Sequence, residues 1–331
     1  MVPQTRLLLA SSLLTVSCAG LRPRLVDASV QKPSNVAVYF AVDTRDGEPV
    51  PGLTAEQFHI YEDEKLVSKF ESKQTILNPE VAAIHYLLLL VDLSASVTES
   101  GAGAALEEAV GRFTTRVGQY QQTAIYGFDG RPELIPIRGF SPGKAGAAGL
   151  GSIKPRDPST NLNGAVTEAI KVLEKQLDRS PVPLRFATLV VFTDGTDQAH
   201  RVSASDLHAT LARAKLEVFV IGVGAEIDEQ ELRELGRSGA ALNRDPGSLG
   251  ATFDQVAERV EGYSKRFYLL SYCSPARAGV HELRIEPFTP DGKAGSLRYQ
   301  FNADGFGPDC DPNRKPAFDV RHPRMGVEPT R

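Results

Sequence analysis

The stretch that most constrains this 331-residue chain is Ile84–Val91, an apolar run of eight residues broken only by His85 that ends at Asp92-Leu93-Ser94-Ala95-Ser96. It is too short to span a bilayer and is bounded by polar residues, so it reads as a strand buried on both faces, as in the middle of a parallel sheet. Asp92, Ser94 and Ser96 then alternate just past its C-terminal end, where open α/β sheets place ligands. Three oxygen side chains with no His or Cys suit a hard divalent cation; a polar turn capping the next helix explains the same three residues.

Two further apolar strands, Arg185–Gly195 and Leu216–Gly224, extend the pattern. Amphipathic helices are predicted over Ala104–Tyr120, from Leu162 onward, over Ser205–Lys215, about Asp228–Gly236, and over Ser248–Tyr263. Strands separated by helices of this length specify a doubly wound, Rossmann-like, mostly parallel sheet with right-handed crossovers. Thr123–Gly130 and Glu133–Phe140 read as an antiparallel edge hairpin, since Pro136 fits an edge and not a centre.

The flanks differ in texture. Residues 34–77 carry short alternating strands, with a turn at Asp63-Glu64 between Phe58–Tyr61 and Leu66–Phe70, and His59 reads as a strand surface residue. Residues 264–303 return to strand-like segments, and each block is too small to bury much alone. They are therefore predicted to pack together as a small sandwich-like β-module with the α/β domain, residues 84–263, inserted between them. Residues 19–33, with Pro23 and Pro33 and no apolar period, read as a tether, and 304–331 as an extended tail.

The N-terminus carries Arg6, an apolar Leu7–Val16 and then Ser17-Cys18-Ala19-Gly20, an export signal too short for a permanent span. LLTVSCAG resembles a bacterial lipobox with Thr15 where Leu is usual; the resemblance implies that the signal segment ending at Cys18 is cleaved just before it, that Cys18 is lipidated as the first mature residue, and that the protein sits at the outer membrane, with simple secretion as the alternative. Cys273 and Cys310 remain as an even pair in an oxidising compartment, and a disulfide between them would stabilise by roughly 3 to 4 kcal/mol on the chain-entropy model. A net charge of -4 and the lack of a Lys/Arg stripe argue against nucleic acid.

Thr160, before a helix, and Asp194, ending the second buried strand, should meet Asp92, Ser94 and Ser96 at one sheet rim. At this point the sequence resembles a von Willebrand factor type A domain over about residues 84–263. D-L-S-A-S at 92–96, the Thr of S-T-N-L at 160 and the Asp of F-T-D-G at 194 match its metal-ion-dependent adhesion site. The resemblance implies Mg2+, or Mn2+ or Ca2+, held by those five residues, with an open position that a partner's Asp or Glu fills. Asp129 is a candidate for a supporting role or a plain hairpin-turn residue; Asp157 and Asp197 lie in the same rim loops. The flanks are similar to exported bacterial proteins of this family of the acidobacterial type. The leading expectation is a non-enzymatic, cation-dependent protein-binding lipoprotein. A phosphotransferase using Asp92 as nucleophile would need a second Asp where Ser94 stands, and a scaffold with a vestigial metal site is the other alternative. Ser94 and Ser96 lack a G-x-S-x-G elbow, and the six His fall in no triad pattern.

Overall fold

The fold is given by a computed structural model that describes residues 20–99, 103–143 and 149–319 and the backbone of 324–325. In chain order the strands are β1 Leu21–Gln31, β2 Asn35–Thr44, β3 Phe58–Glu62, β4 Lys65–Leu66, β5 Thr75–Leu77, β6 Ala83–Asp92, β7 Gln122–Phe128, β8 Ile135–Ser141, β9 Leu184–Thr193, β10 Glu217–Val223, β11 Gly239–Asn243, β12 Phe267–Cys273, β13 Val280–Pro287, β14 Leu297–Asn302 and β15 Arg324–Met325. The α-helices are α1 Ala95–Glu99, α2 Gly103–Val117, α3 Leu162–Arg179, α4 Ala204–Arg213, α5 Glu229–Leu235 and α6 Leu249–Lys265.

The central sheet runs β11-β10-β9-β6-β7-β8, parallel except for the β7–β8 hairpin at its edge, which carries Pro136. The apolar run of β6 works by period two. Leu87, Leu89 and Val91 face α2 and α6, while Tyr86, Leu88 and Leu90 face α3 and α4, so both faces are dry. Strand β11 is absent from the sequence expectation. Its Gly239-Ala240-Ala241-Leu242-Asn243 lacks β-branched residues, and it is defined by parallel pairing to β10.

The flanking strands form two antiparallel sheets, β1-β2-β12-β5 and β14-β13-β3-β4, whose facing sides bury Val36, Val38, Phe40, Phe58, Tyr268, Leu270 and Leu283. The opposite faces of β2 and β12 present Tyr39, Ala41, Phe267 and Leu269 to Ala83, Leu184 and Phe186 at the N-terminal ends of β6 and β9. The sandwich therefore sits under the N-terminal edge of the parallel sheet, and the candidate site lies at the other end. Ten residues of β6 place it about 30 Å away.

Three expectations differ from the structure. Residues 21–31 are not a tether: they form the edge strand β1, paired along β2. A bulge between Leu25 and Asp27 switches the buried face from Leu21 and Leu25 to Ala28 and Val30, so no single alternation marks the strand. The second arm of the Asp63-Glu64 hairpin is only Lys65–Leu66, and Phe70 is 95% exposed. Residues 304–319 are irregular but packed, with Phe306 in the sandwich interior and Phe318 at the seam. Cys273 and Cys310 are disulfide-bonded. Cys18 and the signal segment lie outside the described residues, and no helix among those described is long and apolar enough to cross a membrane.

Candidate functional site

Asp92 is fully buried at the end of β6 and accepts the Ser94 N–H on Oδ1 at 2.9 Å and the Thr193 hydroxyl on Oδ2 at 2.7 Å. Leu93 N–H donates to Phe128 O at 2.8 Å, which holds the chain to β7 just before Ser94 and Ser96. Ser94 Oγ lies 3.2 Å from Ser96 Oγ, and Ser96 Oγ donates to Asp194 Oδ1 at 3.0 Å. The structure thus joins four of the five expected residues in one hydrogen-bonded chain.

Thr160 reaches the same rim through backbone bonds. Its carbonyl accepts Gln198 N–H at 2.9 Å and Ala199 N–H at 3.0 Å from the loop after Asp194. Neighbouring Asn161 N–H donates to Asp129 O at 3.2 Å, and Ala95 N–H donates to Pro158 O at 3.1 Å, which ties this loop to the Ser94–Ser96 turn. Thr160 does not cap α3: the N-cap is Asn161, and Asp197 Oδ1 instead accepts Asn163 N–H at 3.1 Å from outside the helix. Asp197 is thereby assigned to capping and Thr160 is left for another role.

The acids carry uncompensated charge. Burial, with Asp194 as a neighbouring like charge, pushes the Asp92 carboxyl up to about 6 against the opposing hydrogen bonds from Thr193 and Ser94. Asp194 is also raised, by burial and by Glu226, against the Ser96 bond. Two carboxylates and three hydroxyls in a mostly buried rim fit a hard cation, which would replace the missing positive charge while meeting only oxygen. Among the described residues no group of three or more His, Cys, Asp and Glu is placed to hold a metal ion, so the set depends on its hydroxyls.

Asp129 turns elsewhere. Its carboxylate accepts Arg131 N–H and Nε–H at 3.0 Å and Arg156 N–H at 3.0 Å. Burial would raise that carboxyl, but these bonds outweigh it and hold it below the usual range. It buttresses the loop that carries Thr160. Asp157 is engaged by Ser159 N–H at 3.1 Å and Ser159 Oγ at 2.9 Å.

Two contributors have no separate signal in the sequence. Thr193 looks like any strand residue until its hydroxyl meets Asp92. Gly224, at φ +148°, ends β10 so close to the site that a Cβ would stand 2.9 Å from Asp194 O. A cleft of about 420 Å³ at the seam, lined by His85 and Phe186 together with Arg24, Arg213, Arg237 and Arg266, lies at the opposite end of the sheet.

Comparison with known proteins adds the following. The model of the von Willebrand factor type A domain matches residues 87–255. Similar solved structures include a von Willebrand factor type A protein from Catenulispora acidiphila, at 10% identity over 86% of this chain and 73% of that one, TM-score 0.45. Another is the manganese-loaded TRAP protein of Plasmodium vivax, at 12% identity over 75% of this chain and 99% of that one, TM-score 0.40. A third is proximal thread matrix protein 1 from the mussel byssus with a zinc-occupied MIDAS motif, at 15% identity over 61% of this chain and 49% of that one, TM-score 0.42.

Proposed function

Because the chain belongs to the von Willebrand factor type A family, whose domains generally mediate protein–protein interaction or adhesion, we propose that it binds a protein partner through a divalent cation. Asp92, Ser94, Ser96, Thr160 and Asp194 would hold the ion, with Mg2+ the first candidate and Mn2+ or Ca2+ the alternatives. The observation that carries this reading is the Ser94–Ser96–Asp194 chain beside buried Asp92. Once bound, the cation supplies a coordination position that an Asp or Glu of the partner can take.

The phosphotransferase alternative is disfavoured by Ser94 at the position where a second acid is needed, and by domains of this family being generally non-enzymatic. Robust Mg2+-dependent turnover of a generic phosphatase substrate, abolished by Asp92→Asn, would reverse that judgement. For location, the lipobox-like LLTVSCAG supports an exported lipoprotein anchored through Cys18, with incorporation of a labelled fatty acid lost in Cys18→Ser as its check.

The direct test is affinity capture from envelope extract in Mg2+ and in chelator, with Asp194→Ala alongside. Partners retained only with metal and only by the wild type support the reading. The same proteins in all three samples would refute it.

A further inference from the structure

The rim around the proposed metal site is charged asymmetrically. On the β7 side, hydrogen bonds join two segments: Gly130 N–H to Asp157 O at 3.3 Å, Arg156 N–H to Asp129 Oδ2 at 3.0 Å, and Asn161 N–H to Asp129 O at 3.2 Å. Arg201, from beyond Asp194, joins them by donating Nε–H to Gly130 O at 2.6 Å. Arg131, Lys154, Arg156 and Arg201 therefore share one flank of the Ser94–Ser96 turn. A Cβ at position 130 would meet the Ser159 and Asp157 side chains within 2.4 Å, so a larger residue there would have to displace them.

Four cations face three carboxylates there: Asp129 and Asp157 are already engaged, and Glu133 lies near Arg131. Asp129 is buried under Arg131 and Arg156 N–H; Asp157 accepts from Ser159 and stands 3.5 Å from Arg201 Nη2. Lys154 and Arg156 are exposed, and among the described residues their side chains meet no acid. Arg131 and Arg201 are held by Nε, and Arg201 Nη2 reaches Asp157 Oδ2 at 3.5 Å, so both guanidinium groups are oriented by the loops around them. Pro155 and Pro158 restrict the backbone around Arg156, so less freedom is lost when it is engaged. Across the site the sign reverses: Glu226 is near enough to raise Asp194, and Asp228, Glu229 and Glu231 follow it, Glu229 being paired with Arg233 and Arg244.

We infer that the partner presents an acidic segment, with one carboxylate for the metal and at least one more, on the β7 side, for the guanidinium groups of Arg156 and Arg201. The inference rests on the metal-dependent reading above and narrows its partner. Bidentate guanidinium–carboxylate pairing sets the register of the segment, and the acidic flank beyond Asp194 rejects the reverse orientation.

The test uses the full chain in detergent and three blocked synthetic peptides: one aspartate in a glycine–serine background, the same aspartate flanked by glutamates, and the same flanked by lysines. Binding is read by fluorescence anisotropy in millimolar Mg2+ and in chelator. The glutamate peptide should bind about tenfold tighter than the plain one at low salt, and the advantage should shrink at about 300 mM salt. The double variant Arg156→Glu with Arg201→Glu should instead prefer the lysine peptide. Arg156→Glu alone, which removes a side chain without an acidic partner, should cancel most of the preference if the double variant misfolds.

Equal binding of plain and glutamate peptides in Mg2+, or an unchanged glutamate preference in the variants, overturns the rim inference while leaving metal-bridged recognition intact. Binding that ignores chelator, or no Mg2+-dependent binding of any peptide, overturns the metal reading and the inference with it. Chelator-resistant binding of heparin as tight as that of the glutamate peptide also overturns the inference, because the flank would then serve polyanions at large.

Discussion

Arg266 stands where α6 passes into β12, and it joins the sandwich to the α/β domain. Its side chain is 4% exposed; Nη1 donates to Asp43 Oδ1 at 3.1 Å in β2, and Nη2 donates to Glu217 Oε1 at 2.8 Å in β10. The guanidinium carbon lies 4.5 Å from the Tyr263 ring centroid and 5.3 Å from that of Phe267. Arg266→Met keeps the apolar stem and removes the charge. Asp43, 3% exposed, would retain only its bond from Arg24, whereas Glu217 is about a third exposed and can rehydrate. Removing one partner of a buried pair costs about 3–5 kcal/mol, and the surviving Arg24 contact brings the expected loss to about 2–3 kcal/mol, cation–π contacts included. Urea denaturation of Arg266→Met, Asp43→Asn and the double variant measures it. The double variant should be less destabilised than the sum of the singles by about 1 kcal/mol or more, because no orphaned carboxylate remains. An Arg266→Met protein within 1 kcal/mol of wild type, or strictly additive costs, would refute the reasoning.

Two other outcomes follow from the structure. Gly224→Ala forces a Cβ against Asp194 O at a φ unsuited to alanine, so Mg2+ affinity by calorimetry should fall about tenfold or more; wild-type affinity would show that the loop yields freely. His85, packed between Phe186 and Phe267, is pushed down to about 3 by burial and by the Arg266 charge. The unfolded chain therefore takes up this proton first, and stability falls as pH drops from about 6.5 toward 3. His85→Gln should escape about 1–2 kcal/mol of the loss between pH 7 and pH 5, and parallel pH profiles would contradict this.

The residues that announce this fold are those whose pattern survives without tertiary context. The β6 run, the D-x-S-x-S turn at its end, and Asp194 after β9 were legible because one face per residue parity and one rim per parallel sheet leave little choice. Thr160 could be placed by its position before α3, although its freedom from capping depends on Asp197 arriving from a distant loop. Strand β1 was hidden because its bulge breaks the alternation at Leu25, and β11 because small residues mark no strand of their own. The rim arginines were invisible for another reason: Arg131, Arg156 and Arg201 are far apart in sequence and are gathered only by hydrogen bonds around Asp129 and Gly130.

The central claim is that the five rim residues hold a cation. Thermal unfolding of the full chain in chelator and in millimolar Mg2+ or Mn2+, beside Asp194→Ala, tests it most directly. Metal at a hundred times its dissociation constant adds about 2.7 kcal/mol to the native state, which a melt resolves. A rise in Tm with metal that vanishes in Asp194→Ala is the predicted result; identical melting curves in chelator and metal would contradict the account.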